Sequence, residues 1–168
     1  MKKIKLTQNQ FALVDDCEYE YLNQWKWCAR RNGNTFYAVR NSRKTECEKR
    51  KLILMHQVIL QRMGIEFEQV DHIDGNGLNN CRSNLRAATK QENGCNRNKQ
   101  KNNTSGRKGV GWNKQHQKWQ AQIQVNGKQI HLGYFDDIED AVRAYNQAAK
   151  KHFGKFARLN IIGELKTV

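Results

Sequence analysis

Apolar and polar positions alternate over short stretches in the first third of the chain, and this pattern predicts short strands joined by tight turns. Gln10–Val14 and Phe36–Arg40 have the composition of strands, and Asp15-Asp16 and Asn32-Gly33-Asn34 are typical of turns. Lys51–Met55 predicts a further strand that leads into a short helix. We therefore expect a small mixed layer in this part of the chain.

The last third of the chain has a pattern of its own. Apolar residues alternate with glutamines over Trp119–Val125, which predicts a half-buried strand with one amide face. Asn126-Gly127 is a hairpin signal, and Gln129–Tyr134 follows as the returning strand. After Asp136-Asp137, apolar residues recur every three or four positions, as on an amphipathic helix. With Gly109–Trp112 as a first strand, the pattern predicts a three-stranded antiparallel sheet packed on one helix.

A dense group of polar residues lies between these two patterns. Asp71-His72 closes an apparent strand, Asp74–Gly77 forces a turn, and Leu85–Ala88 returns as a second strand. Thr89-Lys90-Gln91-Glu92 has the form of a capping box, which begins a helix. The order is therefore strand, loop, strand and helix, and Asn93 in the first helical turn is expected to face back toward Asp71.

Charge narrows the classes of partner. Lys and Arg total 30 against 16 acidic residues among 168, a net charge of +14 that attracts polyanions and argues against cationic substrates. The five cysteines show no Cys-x-x-Cys spacing, so we expect reduced thiols. No apolar run is long enough for a membrane span, which predicts a soluble, cytoplasmic protein. Residues 94–108 contain no acid, and we expect residues 99–106 to form a basic linker.

The residue types of the middle segment suit phosphodiester hydrolysis. The carboxylate of Asp71 and the carboxamide of Asn93 are oxygen ligands that Mg²⁺ accepts beside water and phosphate. His72 is the candidate general base, because an imidazole with an ordinary pKa near 6.5 takes a proton from water at neutral pH. Asn84 is expected to fix the imidazole ring by a hydrogen bond. The alternative is that Asp74–Gly77 is only a tight turn and Asn84 a local cap.

The strings VDHIDGNGLNN, SNLRAAT and EN, over about residues 55–98, resemble the HNH (ββα-metal) nuclease motif in the version of phage and intron-borne homing endonucleases. The resemblance implies one Mg²⁺ per active site, held by Asp71 and Asn93, with Mn²⁺ able to substitute. It makes His72 the general base and Asn84 the residue that orients it. His56 receives a structural or phosphate-facing role. Asn93 stands where the motif is named for His, which argues against a zinc-preferring site.

Residues 107–160 resemble the DNA-binding domain of plant APETALA and ethylene-response factors, through Gly109-Val110, Lys118–Ile123, Leu132–Phe135 and Ala148-Ala149. In that family the sheet enters the major groove, so the resemblance implies double-stranded DNA as partner. Glutamine favours adenine edges, which predicts a target containing A·T pairs. The side chains expected to contact DNA, in the linker and in this domain, are Arg97, Lys99, Lys101, Arg107, Lys108, Trp112, Lys114, Gln122, Gln124, Gln129 and His131.

The combined prediction is an α+β protein in three parts. Residues 1–98 form strands and a ββα-metal unit, 99–106 a basic linker, and 107–160 a DNA-binding domain. The leading interpretation is a site-specific, metal-dependent DNA endonuclease of the phage homing type, active in a prokaryotic or phage-infected cell as a monomer or a transient dimer on DNA. Two alternatives stay open: a DNA-binding regulator with an inactive nuclease unit, and an RNA-binding module. The intact set of four motif residues argues against the first, and the lack of an RNA-recognition signature against the second.

Overall fold

The structure is a computed structural model that describes residues 1–43, 45, 49–96, 99 and 102–163. The chain divides into two compact units, Met1–Asn93 and Gly94–Val168, and each has its own buried apolar cluster. Across the described ranges the elements are short strands, four α-helices and two short 3-10 helices, and the predicted α+β class is confirmed. In the part of the chain that is described, none of the helices is long and apolar enough to cross a membrane.

The first unit contains three small antiparallel sheets. Strands β1 and β2 form a pair, β3, β4 and β5 follow one another in a three-stranded sheet, and β6 pairs with β7. The bounds within the described ranges are β1 Lys2–Lys5, β2 Phe11–Val14, α1 Asp16–Leu22, β3 Cys28–Asn32, β4 Thr35–Asn41, β5 Leu52–Leu54, α2 Met55–Arg62, β6 Gln69–His72 and β7 Leu85–Ala88.

The strands predicted in the first third are confirmed, but one predicted turn is wrong. The chain does not turn at Asp15-Asp16, because Asp15 is extended and α1 begins at Asp16. Acidic side chains at Asp16 and Glu18 lie in the first helical turn, where the helix dipole favours negative charge. The Glu18 side chain is buried and accepts hydrogen bonds from Arg62 and Arg82, and this contact joins α1 to α2 and to the segment before β7.

Strand β2 also holds the loop between β6 and β7. The Leu13 amide donates to the Leu78 carbonyl at 2.8 Å, and the Asn80 amide donates to the Leu13 carbonyl at the same distance. Each buried backbone group that is paired in this way avoids a desolvation penalty. The N-terminal strands are therefore part of the support of that loop.

The capping box is confirmed at the start of α3 (Lys90–Cys95). The Thr89 amide donates to Glu92 Oε2 at 2.8 Å, and the Glu92 amide donates to Thr89 Oγ1 at 3.2 Å. Two amides that the helix leaves without partners are thus satisfied. The predicted order of strand, loop, strand and helix is confirmed over β6, β7 and α3.

The second unit is a three-stranded antiparallel sheet, ordered β10-β9-β8, that packs on the long helix α4. Its bounds are β8 Val110–Asn113, β9 Lys118–Val125, β10 Lys128–Phe135 and α4 Ile138–Phe153. Ala121 and Ile123 of β9 are buried together with Val142 and Tyr145 of α4. The sheet-and-helix prediction is confirmed.

Part of the predicted linker folds onto this second unit. The Ser105 side chain is buried; its hydroxyl donates to the Val110 carbonyl at 2.6 Å and lies 3.1 Å from the Arg107 carbonyl. Asn103 Nδ2 donates to the Arg107 carbonyl at 2.8 Å. These short polar side chains bond to nearby backbone, as Ser and Asn commonly do in turns. The stretch from Asn103 therefore belongs to the folded second unit.

Candidate functional site

The loop between β6 and β7 is tied together by amide side chains. The Asp74 amide donates to Asn84 Oδ1 at 3.0 Å, and Asn84 Nδ2 donates to Asp74 Oδ1 at 3.0 Å and to the Asn79 carbonyl at 2.8 Å. Burial raises the pKa of Asp74, but hydrogen bonds from Asn76, Asn79 and Asn84 outweigh that and hold it below its ordinary value. The loop therefore has a fixed shape at the end of β6.

His72 lies at the end of β6 in a buried aromatic pocket. Its ring centroid is 5.0 Å from that of His56 and 5.7 Å from that of Tyr37, and its Nε2 is 3.3 Å from Asn80 Oδ1. Burial lowers the pKa of His72, and the Asn80 contact and the carboxylates of Asp74 and Asp71 oppose that shift. The net direction favours a neutral imidazole at neutral pH, which is the form that accepts a proton.

Asn84 does not make the predicted contact with the ring. Its hydrogen bonds go to Asp74 and Asn79, and the carboxamide that reaches His72 is that of Asn80, which is fully buried. The physical reason is the loop: Asn84 satisfies the backbone of the turn and thereby holds Asn79, the neighbour of Asn80. Asn84 is therefore linked to His72 only through the loop that carries Asn80.

Asp71 pairs with a cation across the two strands. It lies opposite Arg86 in the β6–β7 register, and Arg86 donates to Asp71 Oδ2 from Nε at 2.8 Å and from Nη2 at 2.5 Å. Both side chains are largely buried, at 4% exposed for Asp71 and 14% for Arg86. A buried carboxylate needs such a partner, because it is costly to bury alone.

Asn93 reaches the side of β6 that carries Asp71. Its Nδ2 donates to Gln69 Oε1 at 2.8 Å, and Gln69 and Asp71, two residues apart on a strand, share one face. Within the described ranges no group of three His, Cys, Asp or Glu side chains could hold a metal ion. The donors on this side are carboxylate and carboxamide oxygens, which fit a hard cation that keeps water and phosphate as its other ligands.

Sequence reasoning missed Tyr37, Asn80 and Arg86 and gave His56 only a general role. Burial, and next the neighbouring His72, lower the pKa of His56 to about 3, and its Nδ1 is buried without a hydrogen-bond partner among the described residues. A Cβ added at Gly77 would lie 2.6 Å from the Tyr37 ring, so this close approach requires the second glycine of the turn. Gly77 was the one sequence signal of this close contact, but a glycine does not show which residue packs against it.

In the second unit, four of the predicted DNA contacts share one face of the sheet. Gln122 pairs with His131 and Gln124 with Gln129 in the β9–β10 register, on the face opposite Ala121 and Ile123 and hence opposite α4. They form part of an amide network, in which Gln129 donates to Gln122 and Gln120 Nε2 lies 3.3 Å from His131 Nδ1. We name the amide face as Asn113, Gln120, Gln122, Gln124, Gln129, His131 and Tyr134.

A β-bulge brings Tyr134 onto the amide face. The register shifts between His131 and Gly133, so that Tyr134 lies opposite Gln120. The Tyr134 ring centroid is 4.6 Å from that of His131 and 4.3 Å from that of His116. Strict alternation along β10 could not predict this, because a bulge changes which side chains face outward.

Several predicted DNA contacts lie elsewhere. Arg107 is buried, and its guanidinium donates to Glu139 and to the carbonyls of Ile161 and Gly163, so it is not placed to meet a phosphate. Lys108 Nζ donates to the Cys95 carbonyl, and burial lowers its pKa to about 8. The sequence shows that a side chain is positively charged, but not whether the fold leaves it in solvent or binds it internally.

The remaining predicted contacts differ from one another. Trp112 packs edge-on against Trp119, on the sheet face that carries Ala121, and not on the amide face. Lys114 is exposed, and Lys99 is exposed with its Nζ donating to the Gly106 carbonyl. Arg97 and Lys101 lie outside the described residues.

Comparison with known proteins places an HNH endonuclease domain within the chain. A family model described as HNH endonuclease matches residues 54–95, which include β6, β7 and α3. Protein 3.8 of Escherichia phage T7 is 40% identical over 89 residues, which are 53% of this chain and 73% of that protein. An uncharacterized HNH endonuclease of Acanthamoeba polyphaga mimivirus is 40% identical over 93 residues, 55% of this chain and 47% of that protein.

The other comparisons give one short match and no solved structure. An ethylene-responsive transcription factor-like protein of Arabidopsis thaliana is 59% identical over 32 residues, which are 19% of this chain and 14% of that protein. So short a match does not establish what the second unit binds. No solved structure matches the chain. On the family model and on the phage relative, of which it covers 73%, this chain belongs to the HNH endonuclease family.

Proposed function

We propose that this chain is a site-specific DNA endonuclease of the homing type, which hydrolyses a phosphodiester with His72 as general base and one divalent cation. The observation that carries the proposal is the buried His72 imidazole, held at the end of β6 by Asn80 and next in sequence to the carboxylate of Asp71. A neutral, oriented imidazole beside oxygen ligands is the minimum that this hydrolysis requires.

His72 would take the proton from the attacking water. With Nε2–H donating to Asn80 Oδ1, the lone pair of the neutral ring lies on Nδ1, so Nδ1 is the basic nitrogen. The rings of Tyr37 and His56 limit the motion of the imidazole. A base that is already oriented loses less freedom when the reaction occurs.

Asp71 and Asn93 would hold the cation, and its remaining ligands would be water and phosphate oxygens. A bound Mg²⁺ or Mn²⁺ supplies charge stabilisation for the phosphate as negative charge develops on it. Arg86, already paired with Asp71, holds that carboxylate in place.

The amide face of the second unit would choose the target sequence. Glutamine side chains that donate and accept hydrogen bonds suit base edges in the major groove, adenine above all. Double-stranded DNA is the partner this proposal names, and the amide network, already ordered within the sheet, supports it. Lys114 and Lys99 remain as phosphate contacts of the kind that position a protein on DNA without reading sequence.

The test is cleavage of plasmid DNA by the full chain with Mg²⁺, with Mn²⁺ and with a chelator, followed by sequencing of the cut ends. We expect cutting with either ion, none with chelator, and ends that cluster at one sequence. Ends scattered at random would refute site specificity but leave the nuclease activity. Absence of cutting under all three conditions would refute the nuclease.

The Asp71–Arg86 ion pair favours one second candidate, a DNA-binding protein whose nuclease unit is inactive. A guanidinium already occupies one carboxylate oxygen that a metal would use. On this alternative the same plasmid is bound at a specific sequence and is never cut, with either ion. The cleavage experiment with a parallel binding measurement distinguishes the two.

A further inference from the structure

The hairpin of β3 and β4 borders the candidate active site. Tyr37 of β4 has its ring 5.7 Å from that of His72 and 5.4 Å from that of His56. In the β3–β4 register Arg30 lies directly opposite Tyr37. Residues opposite each other on paired strands project from the same face, so Arg30 shares the face of the hairpin that meets His72.

Arg30 is a cation available to a ligand. Its side chain is exposed, and within the described ranges it makes no hydrogen bond, ion pair or ring contact. The surrounding segment, residues 28–51, contains eight Lys or Arg and two acids. A guanidinium carries its charge at any relevant pH and forms paired hydrogen bonds to phosphate oxygens.

We propose that Arg30 binds the phosphate backbone of the DNA strand beside the phosphodiester that is cut. The β3–β4 hairpin is then a substrate-positioning part of the nuclease unit, and the N-terminal strands have a role beyond supporting the loop. The inference rests on the proposed nuclease function, because it places Arg30 by its position opposite Tyr37, whose ring lies beside that of His72. DNA backbone fits better than an acidic peptide, because the neighbouring site already requires a phosphate.

Arg31 offers a matched control on the same strand. It lies opposite Phe36, and Phe36 packs against the apolar cluster of the first unit, so Arg31 belongs to the other face of the hairpin. Its side chain is also exposed. Arg30→Gln and Arg31→Gln therefore remove the same charge at neighbouring positions, and neither change opens a cavity.

The test compares these two variants and Arg30→Lys in the full chain. The affinity for duplex DNA and its dependence on salt are measured in a His72→Ala background, which keeps the DNA intact. The values of kcat and KM are measured with His72 present. For Arg30→Gln we expect about ten-fold weaker binding. The slope of log affinity against log salt should fall by about 0.9, and KM should rise more than kcat falls. Arg31→Gln should match the parent, and Arg30→Lys should fall between.

Each other outcome overturns the inference. Equal losses of DNA affinity in Arg30→Gln and Arg31→Gln would mean that the two arginines attract DNA only through their general positive charge, without a specific contact from Arg30. Unchanged binding of duplex DNA by Arg30→Gln would remove the DNA backbone as the ligand of Arg30. Equal cleavage with and without His72 would refute the proposed function separately, since the binding measurement needs no cleavage.

Discussion

The imidazole of His72 contacts the rings of Tyr37 and His56 and the carboxamide of Asn80, a residue that the sequence pattern did not select. Asn84, in the string SNLRAAT, holds the loop, and Asn80 contacts the ring. Both asparagines lie in the segment Asn80–Asn84, and their side chains have the same chemistry. Only the backbone path of the loop, fixed in part by Leu13, decides which of them faces His72.

Replacement of Asn80 should therefore impair the chemical step. We expect Asn80→Leu to lower kcat by roughly 10–100-fold, the usual cost of removing a partner that orients a histidine, with little change in KM. Single-turnover cleavage with saturating DNA measures this rate.

Two controls keep that result interpretable. Asn80→Asp retains an acceptor oxygen and should recover part of the rate, and a thermal melt of each variant shows that the buried position still folds. In wild-type protein, ¹⁵N shifts of the His72 ring should report the Nε2–H tautomer. The opposite tautomer, or an unchanged kcat in Asn80→Leu, would remove Asn80 from its positioning role.

His56 makes the first unit sensitive to acid. Its pKa is lowered to about 3 in the folded protein, chiefly by burial, against an ordinary value near 6.5. Between these two pKa values the unfolded chain carries a proton on His56 that the folded chain lacks. The free energy of unfolding therefore reaches its full value above about pH 6.5 and falls as the pH is lowered below it. At pH 5 the loss should be about 2 kcal/mol.

Denaturant unfolding at a series of pH values measures this loss. We expect His56→Gln to flatten the dependence between about pH 6.5 and pH 4, while His152→Gln, which removes an exposed imidazole from α4, should keep the wild-type slope. Identical slopes in wild type and His56→Gln would show that His56 is not the group responsible.

At the scale of elements, the sequence predicted what depends on neighbouring residues and missed what depends on distant ones. Alternation over Trp119–Val125 and the Asn126-Gly127 turn predicted two strands of the second sheet, and the Thr89–Glu92 capping box predicted the start of α3. The bulge before Gly133 was not predicted; a glycine inside a strand is a local signal of a bulge, but it does not fix where the register shifts. Neither was the approach of β4 to Gly77, which joins segments some forty residues apart.

The amide face makes the second unit testable as an element. We expect Gln122→Ala and Gln129→Ala to weaken cleavage at particular base pairs by roughly 1–3 kcal/mol, the usual worth of a bidentate base contact, and to leave the rate of the chemical step unchanged. Cleavage of a library with randomised targets measures the preference at each position.

The matched control is Gln147→Ala on the exposed side of α4, which should keep the wild-type preference. A preference that is unchanged in both sheet variants would mean that the amide face is solvated and reads no bases. A uniform loss at every position would instead indicate a contact to the DNA backbone.

On the scale of the whole molecule, charge predicted a polyanionic partner but not which side chains meet it. The net charge of +14 includes Arg107, whose guanidinium is bound inside the second unit, and Lys108, whose ammonium is partly buried. It also includes Arg30, exposed in the first unit and absent from the contacts predicted by sequence. Total charge is a sum over the chain, whereas recognition depends on which charges the fold leaves at the surface.

The central claim is that His72 is the base of a phosphodiester hydrolysis. The most direct measurement is the single-turnover rate of DNA cleavage by wild type and by His72→Ala, in the same Mg²⁺ buffer and with DNA affinity measured in parallel. We predict a rate lower by roughly 10²–10⁴-fold in the variant, with nearly unchanged affinity, because a general base contributes about that factor. Equal rates for the two proteins, or a lower rate explained entirely by lost affinity, would contradict the claim.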